Sequence, residues 1–231
     1  MNQTCKKPAF QGFIPCTGVF IAIFLTLTLS AVAQIDSLKR VVQSNAPDTT
    51  RVKALDDLCY SYLSINPDSS IILGKQAAAL ADKIHFMKGA AQSRSDLGLA
   101  YFYTGDLEKA IGVWEEGAAI REKLNDKSGV ASLNIKIGAA WFKLGNYEKS
   151  LAAQMRALKM YEELKTGIGV AQDLNNVAAV FEMQKQYNKA REYYLKAVAI
   201  HNKSKDSVMA AQVLINIGNV HYRENHFDSA A

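Results

Sequence analysis

The residues whose types and spacing could do chemistry are amides. Asn176 and Asn216 fall in one column when the chain is laid on itself with a step of 40, and Gln172, Asn175, Gln212 and Asn219 stand near them in the same two segments. An amide donates and accepts at once, so a row of them can grip the backbone of an extended peptide with little demand on its side chains. The plainer alternative is that these amides solvate an exposed helix face, as polar residues do on any amphipathic helix. Lys136, forty residues before Asn176, adds a cation to the row. Phe102, within Tyr101-Phe102-Tyr103, adds an aromatic of the kind enriched at binding hot spots, with Tyr101 expected to pack inward.

Other constellations fall short of a reaction. His85, His201, His221 and His226 have no Cys, Asp or Glu at metal-ligand spacing. His221 stands in an aromatic packing column and is expected in the core; His226 is expected in a solvated turn. Gly167 and Gly169 lie in a linker with no strand before them, which argues against a phosphate loop. Glu115-Glu116 and Glu162-Glu163 read as solvent-facing helix residues, not paired catalytic carboxylates. Cys59 reads as a small buried hydrophobe. With no nucleophile, base and orienting group in one set, the expectation is a chain that is not an enzyme and uses no metal and no cofactor.

The elements that must position the amides recur. Gly89-Ala90-Ala91-Gln92 returns as Gly129-Val130-Ala131-Ser132, Gly169-Val170-Ala171-Gln172 and Met209-Ala210-Ala211-Gln212. Nine residues into each copy come Leu97-Gly98, Ile137-Gly138, Val177-Ala178 and Ile217-Gly218, then Tyr101, Trp141, Phe181 and His221. Turns follow at Thr104-Gly105-Asp106, Leu144-Gly145-Asn146, Lys185-Gln186 and Asn225-His226, and small residues return at Ala110, Ser150, Ala190 and Ala230. The small column at Ala110, Ser150 and Ala190 is expected to receive a neighbouring ring. An earlier copy puts Leu58-Cys59 in place of Leu97-Gly98 and Ala78 in place of Gly117. Apolar spacing within each half is helical, as at Ile137, Trp141 and Leu144, so each copy reads as helix, tight turn, helix.

These columns resemble the tetratricopeptide repeat in its variant of about 40 residues per unit, over roughly 50–231. Gln154 departs from the pattern, standing where other copies have Trp114 and Tyr194. The resemblance implies an all-α, right-handed solenoid of antiparallel helix pairs, with copies at about 50–88, 89–128, 129–168, 169–208 and 209–231. It also implies a concave groove lined by the first helices. Gln172, Asn175, Asn176, Gln212, Asn216, Asn219, Lys136 and Phe102 would then face a peptide or protein partner. Ser95 and Asp96 are assigned to the same face.

Composition narrows the partner. Of 231 residues 49% are hydrophobic and 21% charged, which excludes a largely disordered chain. The net charge of +5 is spread out, which argues against nucleic acid as the partner. Residues 1–33 read as a signal peptide: Lys6 and Lys7, an apolar run from Val19 to Leu29, then Ala31-Val32-Ala33 ahead of Gln34. An uncleaved anchor is the competing reading. The expectation is export through the Sec pathway to the periplasm or cell envelope of a bacterium, with 34–49 as a lead-in. The fifth copy stops part-way, with residues 213–220 expected to face nothing. The alternative to a binding scaffold is therefore the sensory region of a longer bacterial signalling protein (a histidine kinase, transcription regulator or cyclase) with a possible membrane tether beyond residue 231.

Overall fold

The computed structural model describes residues 33–227, so the leader expected at 1–33 lies almost wholly outside the described residues. Among those residues there are ten helices and no strand. Helix α1 runs over 33–43 and is followed by α2 (Asp48–Tyr62), α3 (Pro67–Lys83), α4 (Met87–Thr104), α5 (Leu107–Lys123) and α6 (Lys127–Lys143). Then come α7 (Tyr147–Leu164), α8 (Gly167–Met183), α9 (Tyr187–Lys203) and α10 (Ser207–Phe227). Each helix from α2 onward packs on the next in the chain, and α2 also touches α4, first helix on first helix. The result is an all-α solenoid of antiparallel pairs. The lead-in is itself helical and is tied to the array where Arg51 Nε donates to the Val42 carbonyl at 3.1 Å.

One turn geometry recurs every 20 residues. Positive φ falls at Gly105, Gly145 and Lys185 within pairs, and at His85, Asn125, Lys165 and Lys205 between them. After all of these but Gly105, the next residue donates its N–H to a carbonyl five residues back: at 2.9 Å from Phe86, Asp126, Asn146, Gln186 and Asp206, and at 3.2 Å from Thr166. This six-to-one bond closes a helix whose last residue has turned left-handed. Glycine takes that conformation freely at Gly105 and Gly145, whereas a lysine adopts it against its own β-carbon. The next helix starts at once on a side-chain cap: Asn66, Asp126 and Asn146 accept from the N–H three residues on, at 3.0, 2.9 and 3.0 Å. The turn expected at Asn225-His226 does not form, and α10 runs on to Phe227. Among the described residues no second helix packs there to draw the chain back.

Close approach inside each pair rests on the glycine column. A β-carbon at Gly98 would overlap the Trp114 indole, and one at Gly138 would lie 2.8 Å from the Gln154 carboxamide carbon. Trp114 and Gln154 are 1% and 2% exposed. The bulky side chain of the second helix is thus received by the glycine of the first. It is not received at Ala110, Ser150 and Ala190, which lie fully buried where the two backbones meet. There Ser150 Oγ donates to the Gly138 carbonyl at 2.8 Å, and Ser70 Oγ repeats the bond to the Cys59 carbonyl at 2.6 Å. That equivalence sets the register of the first copy: Ala77, fully buried, takes the place of Gly117, and Ala78 does not. The missing residue lies in the turn between α2 and α3. Cys59 is fully buried, and burial pushes its thiol up to about 11.

Two core expectations at the last helix are corrected. His221 is exposed, because no described helix covers its side of α10. Within 213–220, Val213 and Val220 are buried, and Val213 and Val220 share a core cluster with α9 residues such as Tyr194 and Val198, while Leu214 and Ile215 are exposed.

Gly138→Leu is expected to lower stability by at least ~1–3 kcal/mol, because its neighbour is a buried side chain with nowhere to go. Gly112→Ala, at a helical site with nothing within 4 Å of the added carbon, should raise it by up to ~1 kcal/mol. Urea unfolding of both variants measures this. Equal and opposite shifts from those stated would mean the helix faces are reversed.

Candidate functional site

The first helices α4, α6, α8 and α10 share a polar face. Gln172, Gln212 and Asn219 are exposed on it; Asn175, Asn176, Asn216, Lys136 and Phe102 are half-buried. Ser95 and Asp96, assigned to this face from the sequence, are 4% and 8% exposed and lie mostly beneath it. Neighbouring first helices are laced by bonds that step 41 residues. Lys136 Nζ donates to Ser95 Oγ at 2.7 Å, and Asn216 Nδ2 donates to Asn175 Oδ1 at 3.0 Å. Arg223 Nε pairs with Glu182 Oε1 at 3.3 Å in the same relation. The helices therefore stack with a slip of one residue, and Asn216 reaches Asn175 in place of its column partner Asn176. Among the described residues the Asn176 side chain has no hydrogen-bond partner, so its amide is available. Phe102 lies 5.8 Å from the Trp114 ring and has the Lys143 ammonium 4.2 Å over its own, so only part of it can meet a partner.

A charged network continues the row toward α4 and α5, and nothing in the repeat columns announced it. Gln92 Nε2 donates to both carboxylate oxygens of Asp96, at 3.1 and 3.0 Å, and accepts from Arg121 at 3.1 Å. Arg121 also pairs with Asp126 Oδ2 at 2.6 Å. Burial raises the Asp96 pKa and lowers that of Lys136. The opposite charge of each partner offsets part of the other's desolvation. The signal missed in the sequence was the five-residue step Arg121–Asp126, which returns as His201–Asp206 with 3.8 Å between Nδ1 and Oδ2.

Beneath α8 lies a second unannounced feature. Asp173 is fully buried and neither of its carboxylate oxygens has a hydrogen-bond partner. Burial pushes its pKa up to about 8. Asp56 on α2, 6% exposed, is pushed up to about 7, again first by burial. Asp173 sits one turn from Asn176 and Asn175, with its charge felt at Tyr161 on α7. Among the described residues no group of three or more His, Cys, Asp or Glu is placed to hold a metal ion. No described helix is long and apolar enough to cross a membrane.

A sequence model described as Tetratricopeptide repeat matches residues 129–203 and 169–231, and a second of the same description matches residues 90–128. Together they cover more than half of the chain. No curated protein matches it. Among solved structures the apo form of RapI is similar over 91% of this chain and 81% of that one, with a TM-score of 0.74 and 16% identity. A signal transduction ATPase with numerous domains and a tetratricopeptide repeat sensor, from Pyrococcus horikoshii, gives 0.73 and 20% over 84% of this chain, which spans only 30% of that one. A Rap protein complexed with Competence and Sporulation Factor gives 0.68 and 16%, over 84% and 56%. At these identities the likeness is one of fold.

The buried carboxyls give the stability a pH dependence. A folded pKa raised above about 3.8 means that the carboxyl stays protonated in the fold while the unfolded chain ionises. Its contribution is complete below about pH 3.8 and is lost as pH rises through about 8 for Asp173 and about 7 for Asp56. The unfolding free energy from urea titration should therefore fall between pH 5 and 8, by up to ~1.4 kcal/mol per pH unit per carboxyl. Asp173→Asn should unfold later than wild type at pH 8, with the gap closing toward pH 5. A pH-independent gap would mean Asp173 is ionised in the fold.

Proposed function

Because the chain belongs to the tetratricopeptide repeat family, we propose that it is a binding scaffold that holds an extended peptide segment of a protein partner along the shared face of its first helices. The observation that carries this reading is the laced row itself. Bonds donated by Lys136 to Ser95 and by Asn216 to Asn175 fix those side chains in place, while the half-buried Asn176 amide has no partner among the described residues. A pre-ordered amide loses little entropy when a ligand arrives. Asn176 can donate and accept; Asn216 keeps its oxygen and one N–H; Gln172, Gln212 and Asn219 extend the reach to either side. Lys136 adds a cation that a partner's carbonyl or carboxylate would meet. The Rap protein complexed with Competence and Sporulation Factor supports this reading, since a protein of similar fold is seen there with a bound factor. We propose further that the segment at 1–33 exports the chain to the periplasm or cell envelope.

A second reading is the sensory part of a longer signalling protein. The likeness in fold to the tetratricopeptide repeat sensor of the Pyrococcus horikoshii signal transduction ATPase supports it.

A displayed library of linear peptides, selected against the mature chain, tests the binding role. Peptides that bind should do so about tenfold or more weakly to the Asn176→Ala, Asn216→Ala double variant, since each lost neutral hydrogen bond contributes a net ~0.5–1.5 kcal/mol. Circular dichroism and melting should stay near wild type. Unchanged affinity on an intact fold would show the row to be a solvated face.

A further inference from the structure

The opposite side of the array, where successive second helices face one another across a seam, differs from one seam to the next. Between α3 and α5 the Arg94 guanidinium bridges Asp82 and Glu116, each at 2.9 Å. Between α7 and α9 the seam is filled: Leu158 is 5% exposed, and Tyr193 packs on Phe181 with ring centres 5.3 Å apart. The seam between α5 and α7 has neither device. In the 40-residue register Asn134 replaces Arg94, Ala118 replaces Leu158 and Ala153 replaces Tyr193. Asn134 turns its amide back to the Val130 carbonyl at 3.0 Å and bridges nothing.

These three truncations leave a cavity of about 490 Å3 over α6. Its floor is Ile137 and Trp141, and Met160 closes part of one wall. Trp141 is half-buried, whereas its column mates Tyr101 and Phe181 are each 8% exposed. The walls carry opposite charge. Glu115 and Glu122 stand two turns apart on α5; Lys149 and Arg156 stand two turns apart on α7. The Lys149 ammonium lies 4.2 Å over the Trp141 ring, as Lys189 lies over Phe181 at 5.3 Å in the next copy. Among the described residues Glu115, Glu122 and Arg156 form no ion pair, although Glu122 and Arg156 are the register equivalents of the clamped Asp82 and Glu116.

We propose that this seam is a second binding site, distinct from the first-helix face, and that it takes a short zwitterionic peptide with its apolar side chain on Trp141. The ligand's ammonium meets the acidic α5 wall, whose carboxylates are Glu115 and Glu122, and its carboxylate meets Arg156 on α7. The volume is that of an ordinary small-ligand pocket. A guanidinium and a carboxylate pair through charge-assisted bonds, the strongest the site can offer. A ligand of one sign would leave one wall unanswered, and an uncharged one would leave both.

The probe is a tripeptide, alanine-phenylalanine-alanine with free termini, followed by calorimetry and by tryptophan emission. Trp114 is buried, so the emission change should come from Trp141 and vanish in Trp141→Phe. One peptide should bind per chain. The same peptide acetylated and amidated at its ends should bind about tenfold or more weakly, as should the free peptide to Glu122→Gln or Arg156→Gln. Ala153→Tyr, which restores the bulk found at Tyr193, should abolish binding while leaving the melting temperature unchanged or higher; Ala118→Leu serves the same purpose if that variant does not fold. The Asn176→Ala, Asn216→Ala double variant should bind the tripeptide as wild type does, which separates this site from the first-helix face. Absence of binding in the millimolar range would overturn the proposal. So would equal binding of the capped peptide, or undiminished binding to a folded cavity-filled variant.

Discussion

The contact on which the array depends is that of one large side chain with one missing one. Trp114 lies against Gly98 and Gln154 against Gly138, and in the fourth pair Tyr194 shares a cluster with Ala178. Bringing two helices this close lets Ser150 reach the backbone of the facing helix at Gly138, and Ser70 that at Cys59. Helix separation within a pair then fixes how the pair presents itself to the next, since interiors packed at crystal-like density transmit such spacings. A polar Gln154 can fill a site that rings fill elsewhere because what the glycine demands is volume. Part of that substitution remains unpaid in hydrogen bonds, as Gln154 Oε1 has no partner.

With that spacing set, the array keeps one backbone plan and varies its seams. Left-handed residues at intervals of 20 turn each helix back, and six-to-one bonds seal the ends. On this constant frame the first-helix face is polar and cross-braced, from Ser95–Lys136 to Glu182–Arg223. The second-helix side is clamped by Arg94 at one seam, plugged by Tyr193 at another and hollow over Trp141 between them. Repeat proteins can tolerate such local differences because each unit touches only its neighbours, so a change at one seam need not be repaired at the others.

Buried carboxyls run through the same frame. Asp56 and Asp173 lie in the interior without the cation that Asp96 has in Lys136. An ionised carboxylate in that setting is unfavourable, so burial pushes both groups well above the usual carboxylate range, to about 7 for Asp56 and about 8 for Asp173. They sit below the first-helix face, one of them a single turn from the unpartnered Asn176. The interior beneath that face is therefore less apolar, and more responsive to pH, than a core built from Leu and Val at the same positions.

Periodicity alone determined the architecture. A period of 40, apolar spacing at steps of three and four, and glycine in one column specify helix pairs and the residues at which they touch, because helix formation and close approach are local properties that repeat with the sequence. The polar row was legible for the same reason: Gln172, Asn176 and Asn216 fall on the side that packing leaves over. The turn at Asn225-His226 and the burial of His221 were misread, since both depend on a neighbour and not on the residue's own column. Only the tertiary structure decided which columns meet across a seam. The one-residue slip that joins Asn216 to Asn175, the isolation of Asp173, and the hollow left by Asn134, Ala118 and Ala153 arise from side chains far apart in sequence. Their meeting is set by how one pair stacks on the next, a relation that no single repeat contains.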